Sequence, residues 1–87
     1  MSDTPSSKIS DLLDELSVRL SEEEVDEIRE LVEKDEEDAA LESLCEELYE
    51  NDVRISADVF ETIEDIGKEM ALDSSIWAKL QDLILPD

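Results

Sequence analysis

The sequence predicts an all-α fold, a small bundle of four to five short helices. The chain has 87 residues with one glycine and two prolines, so few residues interrupt helices. With 40% hydrophobic residues, a chain of this length builds one core. We expect a single helical domain over residues 7–87, after a flexible polar tail over residues 1–6. Apolar residues recur at i, i+3, i+4 and i+7 of a helix, most clearly Leu41, Leu44, Cys45 and Leu48.

The first two helices are predicted from apolar spacing and from start signals. Apolar residues at helical spacing run through residues 7–20, which we assign to the first helix. The second helix begins at Ser21, which forms a capping box with Glu24, while Leu20 and Val25 occupy the hydrophobic-staple positions. Two ion pairs with i,i+4 spacing are expected on these helices, Glu15–Arg19 and Glu30–Lys34.

The central helix lies within residues 39–52, with Asn51-Asp52 as its predicted C-terminal break, and its apolar stripe requires partner surfaces from the flanking segments. Asp35 is a candidate cap for its start. Residues 53–55 form a connector too short to predict as a strand, and Ser56 then caps the fourth helix. Two aromatic residues on apolar faces of the later helices are expected in the core, Phe60 and Trp77.

Gly67 falls within the fourth helix, where glycine costs about 1 kcal/mol relative to alanine. Two explanations fit this position: a neighbouring helix approaches closely, or the fourth helix ends there. The fifth helix opens at Asp73 or Ser74, carries apolar residues as far as Ile84, and stops at Pro86.

The charge balance limits the partners. The 28 acidic and 7 basic residues give a net charge of −21, which disfavours direct binding to nucleic acids and to anionic membranes. It favours a basic partner or mimicry of a nucleic acid. We find no apolar stretch of about 18 residues that would predict a membrane span, and no signal peptide. The single cysteine suits a reducing compartment, so we expect a cytoplasmic protein.

The sequence supplies little catalytic or metal-binding chemistry. It contains no histidine, the usual general base near neutral pH and the commonest metal ligand. Cys45 therefore has no histidine to activate it, and we expect it to be a small buried hydrophobe. The acidic residues 33–38 lack the glycine and the alternating ligands of an EF-hand loop. We predict no enzymatic activity, no cofactor and no metal site.

One short segment permits a different interpretation. Residues 72–76 contain Asp73-Ser74 and resemble the Asp-Ser-Leu of acyl carrier proteins, which are also small, acidic and helical. That resemblance would make Ser74 the attachment site of a phosphopantetheine arm, although Ser75 stands where the family has leucine. An Asp-Ser pair before a helix also functions as an N-cap, which is the interpretation we favour.

Acidic residues form three runs, within residues 22–27, 36–38 and 46–52. Such runs can be solvated helix faces, but solubility of a small domain requires a net charge of only about 2–8 in magnitude. We therefore predict that these carboxylates bind a cation-rich partner, with Tyr49 either as an aromatic anchor or as an edge of the core. The candidate binding residues are Glu36, Glu37, Asp38, Glu42, Glu46, Glu47, Tyr49, Glu50 and Asp52.

Three segments carry a family resemblance: EIRELVE at residues 27–33, ALESLCEELYE at residues 40–50 and IGKEMALD at residues 66–73, with Ile55-Ser56 between the last two. In this order, the chain resembles the MafI family of small bacterial immunity proteins over residues 25–77. In the turn after the second helix, where the resemblance leads us to expect a glycine, this chain has Lys34-Asp35-Glu36.

The resemblance implies a protein that binds the cognate toxin domain of a contact-dependent inhibition system in the cytosol and blocks it. Many of those toxins are nucleases, whose clefts must be basic. A net charge of −21 suits occlusion of such a cleft, so we expect an RNase or DNase partner and a monomer that binds it 1:1. The alternative is an acidic interaction module or nucleic-acid mimic that binds another basic protein.

Overall fold

Five α-helices and a closing 3-10 helix make up the fold within residues 5–85, the part of the chain that the computed structural model describes. No strand occurs in this range, so the predicted all-α bundle is confirmed. None of the described helices is both long and apolar enough to cross a bilayer. The helices are α1 (Pro5–Leu16), α2 (Glu22–Glu33), α3 (Glu37–Glu50), α4 (Ala57–Glu69) and α5 (Ser75–Ala78), followed by the 3-10 helix Lys79–Leu83.

Helix α1 begins earlier and ends earlier than predicted. It starts at Pro5, because proline suits the first turn of a helix. Two residues assigned to the tail are therefore helical, and residues 1–4 lie outside the described range. The helix ends at Leu16 instead of continuing to residue 20. The chain must leave the helix here because Ser21 is extended, with φ −73° and ψ 157°, in order to cap α2.

The early end of α1 also changes one predicted ion pair. Glu15 and Arg19 no longer share a helix, so they lack the spacing that their predicted pair requires. Arg19 instead donates to the backbone carbonyl of Arg54. The predicted i,i+4 pair in the second helix is confirmed, with Lys34 Nζ 3.5 Å from Glu30 Oε1.

The predicted start signals of α2 and α4 are both confirmed. The Ser21 hydroxyl accepts from the backbone N–H of Glu24 at 3.2 Å, and the Glu24 carboxylate accepts from the backbone N–H of Ser21 at 3.1 Å. The Ser56 hydroxyl accepts from the Val59 N–H at 3.2 Å. These bonds satisfy backbone donors that have no partner within the helix.

Helices α2, α3 and α4 all end in a Schellman motif. In none of them is the residue with positive φ a glycine. The residue after each C-cap has a positive φ: 61° at Asp35, 51° at Asp52 and 57° at Ala71. The next N–H in each case donates back to the third carbonyl from the helix end, which defines a Schellman motif. These bonds are Glu36 to Leu31 (2.9 Å), Val53 to Leu48 (3.0 Å) and Leu72 to Gly67 (2.9 Å).

Asp35 therefore ends α2, and the prediction that it caps the central helix is wrong. Helix α3 starts at Glu37, where the N-cap residue Glu36 makes no side-chain cap. The positive φ of Asp35 is the conformation that glycine adopts most easily. It lies in the turn where the family resemblance leads us to expect a glycine.

Helix α3 lies at the centre of the bundle, as predicted. It contacts α1, α2, α4, α5 and the 3-10 helix. Its core-facing residues are fully buried, and no polar or charged side chain is buried among the described residues. Phe60 and Trp77 both join this core. Because the apolar side of α3 is buried against all the other helices, α3 is the element around which they are ordered.

Gly67 accommodates a neighbouring side chain, which decides between the two explanations for it. Helix α4 continues through Gly67 to Glu69. A Cβ added at Gly67 would lie 2.1 Å from Cζ3 of Trp77, so only glycine leaves room for this ring. The indole of α5 thus packs directly on the backbone of α4.

The predicted fifth helix is shorter than expected. Helix α5 ends at Ala78, and the chain tightens into the 3-10 helix before Ile84 becomes extended. The cause is pairing with the connector between α3 and α4. The Ile55 N–H donates to Leu83 O at 3.0 Å, and the Leu85 N–H donates to Ile55 O at 2.8 Å. The predicted stop at Pro86 lies outside the described residues.

Candidate protein-binding face

The outward side of α3 carries a row of carboxylates. Glu42, Glu46 and Glu50 lie at i, i+4 and i+8, and all three are exposed. Asp38 and Tyr49 are exposed on the same side, since at roughly 100° per residue the five positions span about 120° of the helix. We name these five residues the acidic face. Helix α3 contains no lysine or arginine, whereas α1, α2 and α4 each contain one.

Tyr49 is the aromatic residue of the acidic face, and 49% of its surface is exposed. The ammonium of Lys79, at the start of the 3-10 helix, lies 5.5 Å from the centre of the Tyr49 ring. This distance is within the range of a cation–π interaction. Sequence spacing singled out Tyr49 but gave no signal for Lys79, because the two residues belong to elements that meet only in the folded chain.

The other candidate residues lie at the two ends of α3. Glu36 and Glu37 stand at its start, while Asp52 follows its last turn. The Asp52 carboxylate lies 3.9 Å from the Arg54 guanidinium, which offsets its charge. Glu47 is half-buried. A helix of 14 residues is about 21 Å long, so one compact contact cannot use all nine predicted residues equally.

The fold brings a second acidic run against the end of α3. Asn51 donates from Nδ2 to Glu24 Oε2 at 2.9 Å, so α2 and α3 run antiparallel. Glu22, Glu23 and Glu24 in the first turn of α2 therefore lie beside the last turn of α3. Two of the three acidic runs therefore lie at one end of the α2–α3 pair, and the run at residues 36–38 lies at its other end, where the two helices are joined.

Hydrogen bonding favours the ionised form of Glu24. The backbone N–H of Ser21 and the side-chain amide of Asn51 donate to its carboxylate and lower its pKa. Since Asn51 also donates to the carbonyl of Glu47 at 2.8 Å, this amide links the two helices. Asn51 therefore joins α2 to α3 as well as marking the end of α3. The sequence predicts the helix break at this position but not the contact with Glu24.

Cys45 is buried as predicted, and the cap before α5 is made by Asp73 rather than by Ser74. Cys45 is fully buried, and burial raises the pKa of its thiol to about 12, so it packs as a small uncharged residue. Ser74 is exposed before α5 and makes no side-chain cap. The carboxylate of Asp73 accepts from the Ser75 N–H at 3.1 Å instead, so Asp73 supplies the capping bond.

Two clefts have no residue of the acidic face in their walls. One, of about 190 Å³, has walls that include Leu16, Arg19 and Arg54. The other, of about 380 Å³, lies between the turn after α1 and the outer side of α2, at Ser17 and Asp26. No group of three or more acidic or cysteine side chains in the described range is arranged to hold a metal ion.

Comparison with protein-family models, curated proteins and solved structures finds no match for this chain. The likeness to MafI proteins therefore remains a resemblance carried by the quoted segments. The function has to be argued from the acidic face and from the charges around it.

Proposed function

We propose that this chain is an immunity protein that binds a basic, nuclease-type toxin domain in a 1:1 complex and occludes its substrate cleft. The single observation that carries the proposal is the outward side of α3, where Glu42, Glu46 and Glu50 stand in a row without a basic residue in the helix. A cleft that binds phosphates must be cationic. A rigid row of carboxylates is complementary to such a cleft.

The basic residues of the chain leave the charge of α3 largely uncompensated. Four ion pairs involve only residues of the other elements and therefore offset charge away from the acidic face. They are Lys8–Glu69 (3.1 Å), Arg29–Asp14, Lys34–Glu30 (3.5 Å) and Lys68–Glu64 (3.8 Å). We therefore expect the negative electrostatic potential to be strongest next to the outward side of α3. There it would accelerate association with a cationic protein.

The repulsion within α3 also supports a bound partner. Glu42 and Glu46, and Glu46 and Glu50, are like-charge pairs at i,i+4, and each such pair destabilises a helix by about 0.2–0.5 kcal/mol. A cationic partner would relieve this cost on binding. Because the core side of α3 is fully buried, the face is already ordered before the partner arrives, which lowers the entropic cost of association.

The proposal predicts that a toxin domain is encoded directly upstream of this gene, and the test is co-expression of the chain with that domain. We expect growth to be restored, a 1:1 complex in size-exclusion chromatography, and loss of nuclease activity in the purified complex. The proposal places this encounter in the cytoplasm, where Cys45 stays reduced. Continued toxicity in cells that contain the folded chain would overturn it.

The same charge also suits an acidic interaction module or a nucleic-acid mimic, which remains the second candidate. Its partner would be a non-toxic nucleic-acid-binding protein, and nucleic acid would compete for that partner. A stable complex with such a protein, together with no effect on the neighbouring toxin, would favour this alternative.

A further inference from the structure

Lys79 differs from the other basic residues of the described chain. Five of those residues have a carboxylate within 4 Å, and Arg19 donates to a backbone carbonyl. The ammonium of Lys79 instead lies 5.5 Å from the centre of the Tyr49 ring. The ring of Tyr49, the aromatic residue of the acidic face, thus already has a positive charge over it.

The fold holds the backbone of Lys79 firmly in this place. Trp77 packs on Gly67 two positions earlier, and Leu80 is fully buried one position later. The 3-10 helix that begins at Lys79 packs against α3. Lys79 therefore approaches α3 on the side where the acidic face presents its ring.

We propose that Lys79 occupies the position on the Tyr49 ring that an arginine of the basic partner takes in the complex, and that it weakens binding until it is displaced. The inference rests on the proposed function and adds to it the chemistry of one contact. Ring faces attract cations, and the planar guanidinium stacks on aromatic rings as an ammonium cannot. The neighbouring carboxylates would pair with the remaining N–H groups of the arginine.

The test compares two variants that change the net charge equally. Lys79→Gln removes the cation from Tyr49, whereas Lys68→Gln removes a cation that pairs with Glu64 on α4, at 3.8 Å. The probe is a fluorescent hexaarginine amide, titrated by anisotropy at an ionic strength of about 0.15 M, where the Debye length is about 8 Å. Thermal melting by circular dichroism checks that each variant is folded.

We expect Lys79→Gln to bind hexaarginine roughly two- to five-fold more tightly than the parent chain, the strength of an exposed cation–π contact. Lys68→Gln should change the affinity by less than about 1.5-fold, since exposed charges more than a Debye length apart are screened. In a Tyr49→Leu background the Lys79 substitution should have no effect. Hexalysine amide should gain less from Lys79→Gln than hexaarginine does.

Equal affinities of the Lys79 and Lys68 variants, or weaker binding by Lys79→Gln, would overturn this inference and leave the proposed function standing. If the parent chain ignores hexaarginine altogether, and the toxin domain as well, both proposals fall. If it binds the toxin domain but shows no preference for arginine over lysine on removal of Lys79, the assigned stacking contact is wrong.

Discussion

The indole of Trp77 occupies the space where any residue other than glycine at position 67 would place its Cβ. The added atom would lie 2.1 Å from Cζ3 and 2.7 Å from Cε3 of the ring, well inside van der Waals contact. This packing joins α4 to α5 and fixes the chain that leads to Lys79. The neighbouring ring leaves no room for any other residue at position 67, which explains a glycine in the middle of a helix.

Gly67→Ala should destabilise the protein by roughly 1–3 kcal/mol, because the Trp77 ring or the helix must shift to relieve the overlap. This figure is the net loss, after subtraction of the gain of about 1 kcal/mol that alanine gives in a helix. Urea denaturation followed by circular dichroism measures stability with and without Trp77, and the fluorescence of the one tryptophan reports the ring environment where Trp77 is present. In a Trp77→Leu background the alanine should cost little, and equal costs in both backgrounds would contradict the contact.

Ala71→Gly should stabilise the protein by about 0.5–1 kcal/mol. Ala71 holds a φ of 57° at the end of α4, a left-handed conformation that costs an L-residue about 1–2 kcal/mol and glycine almost nothing. Thermal unfolding should show a gain of a few degrees. The control is Ala78→Gly at an exposed helical position of α5, which should lose up to about 1 kcal/mol. A loss of stability at both positions would contradict the interpretation.

The starts of α2 and α4 were predictable because their capping signals are local, whereas the starts of α1 and α3 and most helix ends were not. Ser21 and Ser56 sit directly before apolar periodicity, and both cap as expected. The ends of α2, α3 and α4 use Asp35, Asp52 and Ala71 in a conformation that glycine usually adopts, and of these three ends only the break at Asn51-Asp52 was predicted. The short α5 depends on hydrogen bonds between the segment at Leu83 and the distant connector, which no local pattern encodes.

In the candidate site, too, the features that depend on local sequence were predictable, and those that depend on tertiary contacts were not. Periodicity alone places Glu42, Glu46 and Glu50 on the outer side of α3, and the structure agrees. The bonds that shape the site are tertiary: Asn51 bridges to Glu24, and Lys79 covers Tyr49. An asparagine at a helix end and a lysine on a surface are common residues, so their types carry no signal until the chain is folded.

The stability of the protein should depend on Glu24 in a pH-dependent way. Its pKa is lower in the folded chain than the ordinary value of 4.5, because Ser21 and Asn51 donate to the carboxylate. A lowered pKa contributes stability above the ordinary pKa, and that contribution is lost as the pH falls through the folded value. Glu24→Gln should therefore be less stable than the parent at pH 7, and the difference should shrink as the pH falls below about 4.5.

The matched control for Glu24 is Glu23→Gln, in the same first turn of α2. Glu23 should show no such deficit, since the capping bonds belong to Glu24. Comparing variants at each pH cancels the charge repulsion that all of them share. A Glu24→Gln deficit that persists unchanged at pH 3 would show that the hydrogen bonds do not depend on ionisation.

Reversing the charge of the acidic face should abolish most of its binding while leaving the fold intact. Glu46→Lys combined with Glu50→Lys places two cations one helical turn apart on exposed positions of α3. The affinity for the toxin domain should fall at least about tenfold, or about 1.4 kcal/mol, because attraction becomes repulsion at the point of contact. Circular dichroism should remain helical, since neither side chain contributes to the core.

The control carries the same charge change at the same spacing on another helix. Glu61 and Asp65 are exposed on α4, also four residues apart, so Glu61→Lys with Asp65→Lys alters the net charge equally. If binding depends on the location of charge, the α4 variant should keep most of its affinity and lose chiefly association rate. Equal weakening by both variants would mean that the overall charge draws the partner and that the acidic face of α3 is not the interface.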